Sequence, residues 1–280
     1  MYTKETIEKE MKEAVIKVKQ SNPLAGSITN TVTINLVANA QLAVGGSAAM
    51  VYLPDEGECL AAAGGAFYIN VGTLLPVYAD ALPRTAHMLH AQGKPWVLDP
   101  VGIGIGSLRT RLLQGFKAEK PSIIRGNASE IIALSNLWGL ESGQSADGVR
   151  GVDATDPVDA ARQAAVSLAC WTGGAVAVSG EHDLITDGKY TVFSYGGSSF
   201  MEKITGAGCS LGGVAAVYAT AASPFIAACT AAAVYNLAGR QAEGCCSGPG
   251  SFQVAFLDAL YQAEAVDIAQ NPLKLEEEKA

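Results

Sequence analysis

The feature that most constrains the fold is a set of short apolar runs, each followed by a nearby glycine. The runs are Ala66–Asn70, Pro95–Asp99, Pro121–Arg125 and Ala175–Ser179. Each is too short for a helix and is apolar on both faces, as is typical of strands in a covered parallel sheet. Segments with helical spacing lie between them, such as residues 77–92 and 157–171. This alternation predicts βαβ units in a doubly wound α/β sheet.

The carboxyl ends of the four runs carry polar side chains. They are Asn70, Asp99, Arg125 and Ser179, and each has a glycine within three residues. In open α/β sheets, ligands bind just outside the carboxyl ends of the strands. A single polar strand end followed by a glycine indicates only the chemistry of a turn. Four such strand ends at one edge of the sheet predict a ligand crevice.

The chain shows no internal repeat and no low-complexity linker, so the sequence predicts a single domain over residues 1–280. Residues 1–20 are predicted to form an exposed amphipathic helical extension that ends before Asn22 and Pro23. The last residues, 272–280, include the charged run from Glu276 to Lys279 and are predicted to be a solvated tail.

Charge and hydropathy exclude some classes of partner. The net charge is −8 and no basic stripe is present, which argues against a nucleic-acid or anionic-membrane partner. The stretch Ile204–Gly239 has no charged residue, but alanine and glycine dominate it and Pro224 interrupts it. Because Ala and Gly favour membrane insertion weakly, we expect two closely packed buried helices joined near Ser223 and no membrane span.

The six cysteines form no C-x-x-C pair. This favours reduced thiols over a disulfide framework or a zinc site, and we expect a cytoplasmic protein. The N-terminal segment lacks the apolar core of a signal peptide, which agrees with that expectation. His87 and His90 stand three apart on a predicted helix, but no third ligand is evident, so a solvated helix face is expected there.

A glycine-rich segment leads into the first of the two alanine-rich helices. It reads Lys203-Ile-Thr-Gly-Ala-Gly-Cys209-Ser. Glycines before a helix N-terminus let backbone N–H groups approach an anion, and the helix dipole favours negative charge there. The spacing matches neither the Walker A loop nor the dinucleotide-binding fingerprint. The anion-attracting helix start nevertheless suits a transferring phosphoryl group, and a plain tight turn is the alternative interpretation.

The segment Thr205–Cys209 resembles the anion hole of the ribokinase-like kinases. In that superfamily the last position is normally an Asp that acts as catalytic base, and a cysteine there is typical of the hydroxyethylthiazole kinase family. Further segments are similar to that family: Ser27–Asn30, Asn70–Thr73, Leu98–Gly102, Arg125–Glu130 and Gly248–Gln253. The resemblance runs from about Asn22 to Ala265. It implies a ribokinase-like α/β fold, with a central, mostly parallel sheet and helices on both faces.

The resemblance also implies roles for particular residues. Met50 would contact the thiazole, and Gly206 would sit at the substrate. Arg125 and Ser179 would contact the phosphates of ATP. Asp99 and Glu130 are candidates for holding Mg²⁺, partly through water.

The same resemblance places Gly206, Ala207 and Gly208 in the anion hole and Cys209, as the catalytic residue, beside the reacting alcohol. A thiolate at a helix N-terminus has a lowered pKa and could accept the alcohol proton. Phosphoryl transfer depends chiefly on positioning and charge neutralisation, however. Cys209 is therefore expected to aid turnover without being indispensable.

Membership of that family would mean ATP- and Mg²⁺-dependent phosphorylation of 4-methyl-5-(2-hydroxyethyl)thiazole in thiamine salvage. It would also mean a homotrimer with active sites at subunit interfaces, where residues 30–39 could reach a neighbour's site. Two alternatives remain: a kinase for another small alcohol, and a binding protein that has lost turnover. One departure bears on the substrate, because Gly26 stands where the family commonly carries His, a residue that could line the thiazole pocket or a subunit contact.

Overall fold

The computed structural model describes residues 1–143 and 157–278. Over these ranges the strands form one nine-stranded sheet in the order β2-β1-β3-β4-β5-β6-β7-β8-β9. The strands β1 to β9 are Leu24–Ile28, Ser47–Met50, Ala66–Asn70, Trp96–Asp99, Ile123–Asn127, Ala175–Ser179, Asp183–Thr186, Tyr190–Ser194 and Leu273–Glu277. The pairs among β1 to β6 are parallel, and β7, β8 and β9 are antiparallel to their neighbours.

Helices cover both faces of the sheet. The helices α1 to α11 are Lys4–Ser21, Ile34–Ala43, Pro54–Ala63, Tyr78–Ala91, Ser107–Glu119, Ala128–Leu137, Arg162–Thr172, Ala207–Ala219, Pro224–Glu243, Pro249–Gln262 and Ala265–Ala269. One core lies between the sheet and α1, α2 and α8 to α11. The other lies between the sheet and α3 to α7. The predicted α/β class, with a mostly parallel central sheet and helices on both faces, is confirmed.

The four apolar runs are β3 to β6, which are neighbours in the sheet. Their bounds differ most at β5, which starts two residues after the predicted run and ends at Asn127. The reason is that Gly126 and Asn127 stay extended and pair with Val178 and Ser179 of β6. Arg125 therefore lies within its strand rather than at its end.

The alanine-rich stretch forms the two buried helices that the sequence predicts. The second, α9, begins at Ser223, whose hydroxyl accepts a hydrogen bond from the backbone N–H of Ile226, and Pro224 occupies its first turn. The two helices pack against each other beneath the sheet. Within residues 1–143 and 157–278, no helix is long and apolar enough to cross a membrane.

The first helix and the last strand are built into the fold more fully than expected. The helix α1 is confirmed, with Asn22 as its left-handed C-cap, but Ile7 and Met11 are fully buried against the core. The prediction of a solvated tail is wrong for Leu273–Glu277, which pairs antiparallel with β8. The side chain of Arg162 also forms an ion pair with Glu276 at 2.7 Å. The leucines at alternate positions are the strand signal that the many charges obscured.

Candidate active site

The register of the sheet puts the predicted polar residues on one face. Asn70 pairs with Asp99, and partners in a parallel pair project to the same side. Tyr68 lies two residues before Asn70 and so shares that side, where it belongs to the core beneath α8 and α9. Arg125 reaches the same place, with its Nη1 3.4 Å from Oδ2 of Asp99. The face of the sheet under α8 is therefore lined with polar groups at its carboxyl edge.

The N-terminus of α8 lies directly against these groups. Gly206, the N-cap, has a φ of +93°, and a Cβ there would come within 2.8 Å of Cβ of Thr33, so only glycine fits. A Cβ at Gly208 would come within 2.6 Å of Nη1 of Arg125. The predicted anion-hole segment, Gly206 to Gly208, is thus the first turn of a helix that abuts a buried guanidinium. Both features attract an anion.

Asp99 is the most enclosed charged group of the site, with no exposed surface. Its Oδ2 accepts hydrogen bonds from the hydroxyl of Tyr68 at 2.8 Å and from Nδ2 of Asn70 at 3.2 Å. Its Oδ1 is buried and has no hydrogen-bond partner among the residues that the structure describes. Burial raises the pKa of Asp99, and the charge of Arg125 opposes that rise.

Arg125 connects Asp99 to the next strand. Its Nη2 donates a hydrogen bond to Oγ of Ser179, at the end of β6. Its Nε is buried and, within the described parts of the chain, lacks a partner. Ser179 and Arg125, which the family resemblance assigns together, therefore lie in direct contact at the carboxyl edge of the sheet.

Glu130 is held by a capping box at the start of α6. Its Oε2 accepts from the backbone N–H of Asn127 at 2.9 Å, and Oδ1 of Asn127 accepts from the backbone N–H of Glu130 at 2.8 Å. Burial raises the pKa of Glu130 to about 7, with a further rise from the charge of Asp99, and Arg125 opposes both. The two candidate metal-binding carboxylates are thus electrostatically linked through one arginine.

The expected low pKa of Cys209 is wrong. Burial raises the pKa of this thiol, the nearby charge of Asp99 raises it further, and Arg125 lowers it only in part. Nδ2 of Asn30 donates to Sγ of Cys209 at 3.5 Å. A helix N-terminus favours a thiolate, but here the loss of water and the neighbouring carboxylate favour the neutral thiol.

Met50 stands apart from this cluster, at the end of the outer strand β2. It pairs with Ser27 of β1, which also pairs with Tyr68 of β3, so the three side chains share one face. The spacing of strands puts Met50 about 10 Å from β3. Gly26 lies on the opposite face, where a Cβ would come within 2.7 Å of Leu60 and Phe67. The departure at Gly26 is therefore not on the side of the sheet that carries Met50.

Several residues of the site were not predicted from the sequence. Tyr68 lies in the middle of an apolar run, and a hydroxyl in such a run is the one signal that could have marked it. Asp183, at the start of β7, accepts a hydrogen bond from Nδ2 of Asn236 at 2.9 Å, and burial raises its pKa to about 6.

A cavity of about 10 Å³, which has room for one water, lies between Arg125, Ser179 and Asp183.

Solved structures define the class of this fold. A pyridoxal kinase from Staphylococcus aureus in complex with ADP has a TM-score of 0.57 at 16% identity and covers 79% of this chain and 89% of its own. A ribokinase-like superfamily protein from Enterococcus faecalis has a TM-score of 0.58 at 12% identity, with coverages of 92% and 94%. At such identities the likeness shows the fold alone, which is that of the ribokinase-like proteins.

Closer relatives identify the family. The profile of the Hydroxyethylthiazole kinase family matches residues 15–265. A hydroxyethylthiazole kinase from Bifidobacterium longum is 52% identical over 279 residues, covering 93% of this chain and 89% of the relative. One from Cereibacter sphaeroides is 43% identical, with coverages of 89% and 93%. The structure of such a kinase from Pyrococcus horikoshii has a TM-score of 0.84 at 29% identity and covers 97% of this chain and 100% of its own. The chain belongs to the hydroxyethylthiazole kinase family.

Proposed function

We propose that this chain transfers the γ-phosphoryl group of ATP to the hydroxyl of 4-methyl-5-(2-hydroxyethyl)thiazole, a step of thiamine salvage. Membership of the family supports the reaction class. The observation that carries the proposal is the guanidinium of Arg125, buried against the N-terminus of α8 and beside Ser179. A fixed cation and a helix N-terminus at one point form a site for a phosphate chain.

In this proposal the phosphates of ATP lie over the first turn of α8. Gly206, Ala207 and Gly208 offer backbone N–H groups, and Arg125 and Ser179 offer side-chain donors from the adjacent strands. Because these groups are preorganised in a site with little water, they stabilise charge that develops on the transferring phosphoryl group.

Asp99 and Glu130 are proposed to hold Mg²⁺. The orphaned Oδ1 of Asp99 fits a hard cation that prefers oxygen ligands, and Glu130 supplies a second carboxylate nearby. No group of three or more His, Cys, Asp or Glu that could hold a metal occurs in residues 1–143 and 157–278. Two carboxylates suit Mg²⁺, which keeps several waters and binds substrate phosphates. When bound, Mg²⁺ would neutralise charge on the phosphate oxygens.

The acceptor is proposed to lie between Met50 and the N-terminus of α8, with Gly206 against it. Its hydroxyl oxygen bonds to the γ-phosphorus as the bond from that phosphorus to the bridging oxygen of ADP breaks, so that ADP leaves and the hydroxyl proton is released to solvent. Cys209, beside the hydroxyl, is proposed as a catalytic residue with a modest effect. A neutral thiol orients an alcohol better than it removes its proton.

A homotrimer with active sites at subunit interfaces, in the cytoplasm, is also proposed. The family resemblance is the main support. Two exposed apolar side chains add to it, because Val32 is 63% exposed after β1 and Leu53 is 49% exposed after β2. Both follow carboxyl ends of strands, at the edge where the site lies. Exposed apolar side chains beside a site are consistent with a subunit contact there.

The phosphate site is tested by Arg125→Gln, with Arg111→Gln on the exposed part of α5 as the control. We expect the KM for ATP to rise by about tenfold or more, because a buried charge-assisted contact is lost. The KM for the thiazole should change little, and the control should leave both values unchanged. An unaltered KM for ATP in the folded Arg125→Gln protein would refute the placement of the phosphates.

A further inference from the structure

The helix α8 leaves room for two large side chains between itself and the sheet. Gly208 and Gly212 are one turn apart on α8 and lie over Arg125 and Tyr68 respectively. A Cβ at Gly212 would come within 2.5 Å of the Tyr68 ring and 3.0 Å of its hydroxyl oxygen. The ring is fully buried. Tyr68 is thus clamped under the same helix whose first turn forms the anion hole.

The hydroxyl of Tyr68 has a defined direction. Its oxygen accepts a hydrogen bond from Nδ2 of Asn70 at 2.8 Å, and the hydroxyl donates a hydrogen bond to Oδ2 of Asp99 at 2.8 Å. The amide of Asn70 is itself fixed, because its Oδ1 accepts from Nδ2 of Asn30 at 3.1 Å and from the backbone N–H of Gly72 at 2.8 Å. Every donor and acceptor in this chain of bonds is therefore determined by its neighbours.

As a consequence, the two oxygens of Asp99 accept different numbers of hydrogen bonds. Oδ2 accepts one from the Tyr68 hydroxyl, one from Nδ2 of Asn70 and, at 3.4 Å, one from Nη1 of Arg125. Oδ1 receives no hydrogen bond from any residue that the structure describes, although it is buried. A buried carboxylate oxygen without a donor loses the free energy of its hydration unless a ligand replaces the water.

We propose that Tyr68 is a positioning residue for the divalent cation that accompanies ATP. With Asn70 it holds Asp99 so that Oδ2 is occupied and Oδ1 is the oxygen left for the cation. The proposal rests on the proposed function only in taking Asp99 as a metal-binding residue. Its geometry comes from the three hydrogen bonds and from the close approach of Gly212.

The test is direct metal binding without turnover. Mn²⁺ is titrated into the full-length protein with ADP and no acceptor, and free Mn²⁺ is followed by electron paramagnetic resonance. We expect Tyr68→Phe to weaken Mn²⁺ binding by about tenfold, the lower end of the effect that a lost partner of a ligand usually has. In the kinase assay the half-saturating Mg²⁺ should rise by a similar factor, with the KM for the thiazole within twofold of the original protein.

The matched control is Tyr218→Phe, which also removes a hydroxyl from a buried tyrosine but has only burial as the cause of its raised pKa. Its Mn²⁺ binding should stay unchanged. A second variant, Gly212→Ala, keeps the hydroxyl but pushes the Tyr68 ring aside, and it should weaken Mn²⁺ binding too. Circular dichroism confirms that each variant is folded.

Two results would overturn the proposal, and they differ. If the original protein binds Mn²⁺ with ADP and Tyr68→Phe binds it equally well, the role of Tyr68 is refuted while the metal site stands. If the original protein binds no Mn²⁺ with ADP, both the role of Tyr68 and the proposed metal site at Asp99 are refuted. Mn²⁺ binding that is about tenfold weaker in Tyr68→Phe and also weaker in Gly212→Ala, with Tyr218→Phe unaffected, supports the proposal.

Discussion

Arg125 is surrounded by more acid groups than it can neutralise. The carboxyls of Asp99 and Glu130 both have raised pKa values because burial disfavours their charged forms, and Arg125 is the cation that opposes the rise in each. In water such groups would be fully ionised at neutral pH. Two buried carboxylates are costly to ionise beside a single arginine, so a bound cation would stabilise their charged forms. This is the physical basis for the proposed Mg²⁺.

The role of Cys209 is tested by Cys209→Ser and Cys209→Asp. Because burial and Asp99 keep the thiol neutral, we expect kcat to change in both variants by less than about a hundredfold, the smallest loss that removal of a true general base usually causes. The exposed Cys59→Ser on α3 is the control and should match the original protein. Loss of all activity in both Cys209 variants would contradict this expectation.

Asp183 gives a pH dependence of stability. Its folded pKa, about 6, lies above its ordinary value of 3.8, so between these pH values the folded state binds more protons than the unfolded state. The free energy of unfolding should therefore fall as pH rises through this window. Relative to Asp183→Asn, the original protein should lose up to about 3 kcal/mol between pH 4 and pH 7.

The measurement for Asp183 is urea unfolding of the original protein and Asp183→Asn at several pH values. Asp258→Asn, which replaces an exposed carboxylate on α10, serves as the control for the loss of a carboxyl group. If the free energies of unfolding of the original protein and Asp183→Asn change in parallel with pH, the folded and unfolded pKa values of Asp183 are alike and the expectation is wrong.

At the scale of elements, the first turn of α8 depends on a close approach to β5. Gly208→Ala should displace the guanidinium of Arg125, which cannot move without weakening its contacts with Asp99 and Ser179. We expect the KM for ATP to rise by about tenfold, which corresponds to about 1.4 kcal/mol. Steady-state kinetics with varied ATP measure it.

The control for that change is Gly115→Ala in the middle of α5, where an added Cβ meets no atom of the described residues within 4 Å. It should leave the KM for ATP unchanged and stabilise the protein by about 0.5–1 kcal/mol through helix propensity. If Gly208→Ala also leaves the KM for ATP unchanged, the contact with Arg125 is not needed for nucleotide binding.

The sequence predicted the elements whose signal is local. The strands β3 to β6 are buried on both faces, so each begins as an apolar run. The last strand, Leu273–Glu277, has leucines among charged residues at the edge of the sheet, and such charges are also typical of a solvated tail. Pairing with β8 is a tertiary contact between residues some eighty positions apart, which no local pattern shows.

For the site, the polar ends of the strands and the glycine-rich helix start were visible in the sequence, and the structure brings Asp99, Arg125 and Ser179 together. The pKa of Cys209 could not be predicted, because it depends on burial and on Asp99, 110 positions away along the chain. Tyr68 could not be assigned either, since its proposed role rests on which face of β3 meets α8.

At the scale of the whole molecule, the proposed homotrimer predicts a mass of about three times the 28.8 kDa chain. Light scattering coupled to gel filtration measures it. Val32→Glu would put a charge on the exposed apolar side chain after β1 and should shift the mass towards that of a monomer, because burying an unpaired charge in an interface is costly. A monomer for the original protein would remove the proposal.

The most direct test of the central claim is product formation by the purified protein with Mg-ATP and 4-methyl-5-(2-hydroxyethyl)thiazole. ADP release is followed by a coupled assay and the product by mass spectrometry, with a hydroxymethylpyrimidine and a sugar as competing acceptors. We predict the thiazole phosphate and ADP in equal amounts, with little product from either competitor. Thiazole binding without any phosphorylated product, or preferential phosphorylation of another alcohol, would contradict the account.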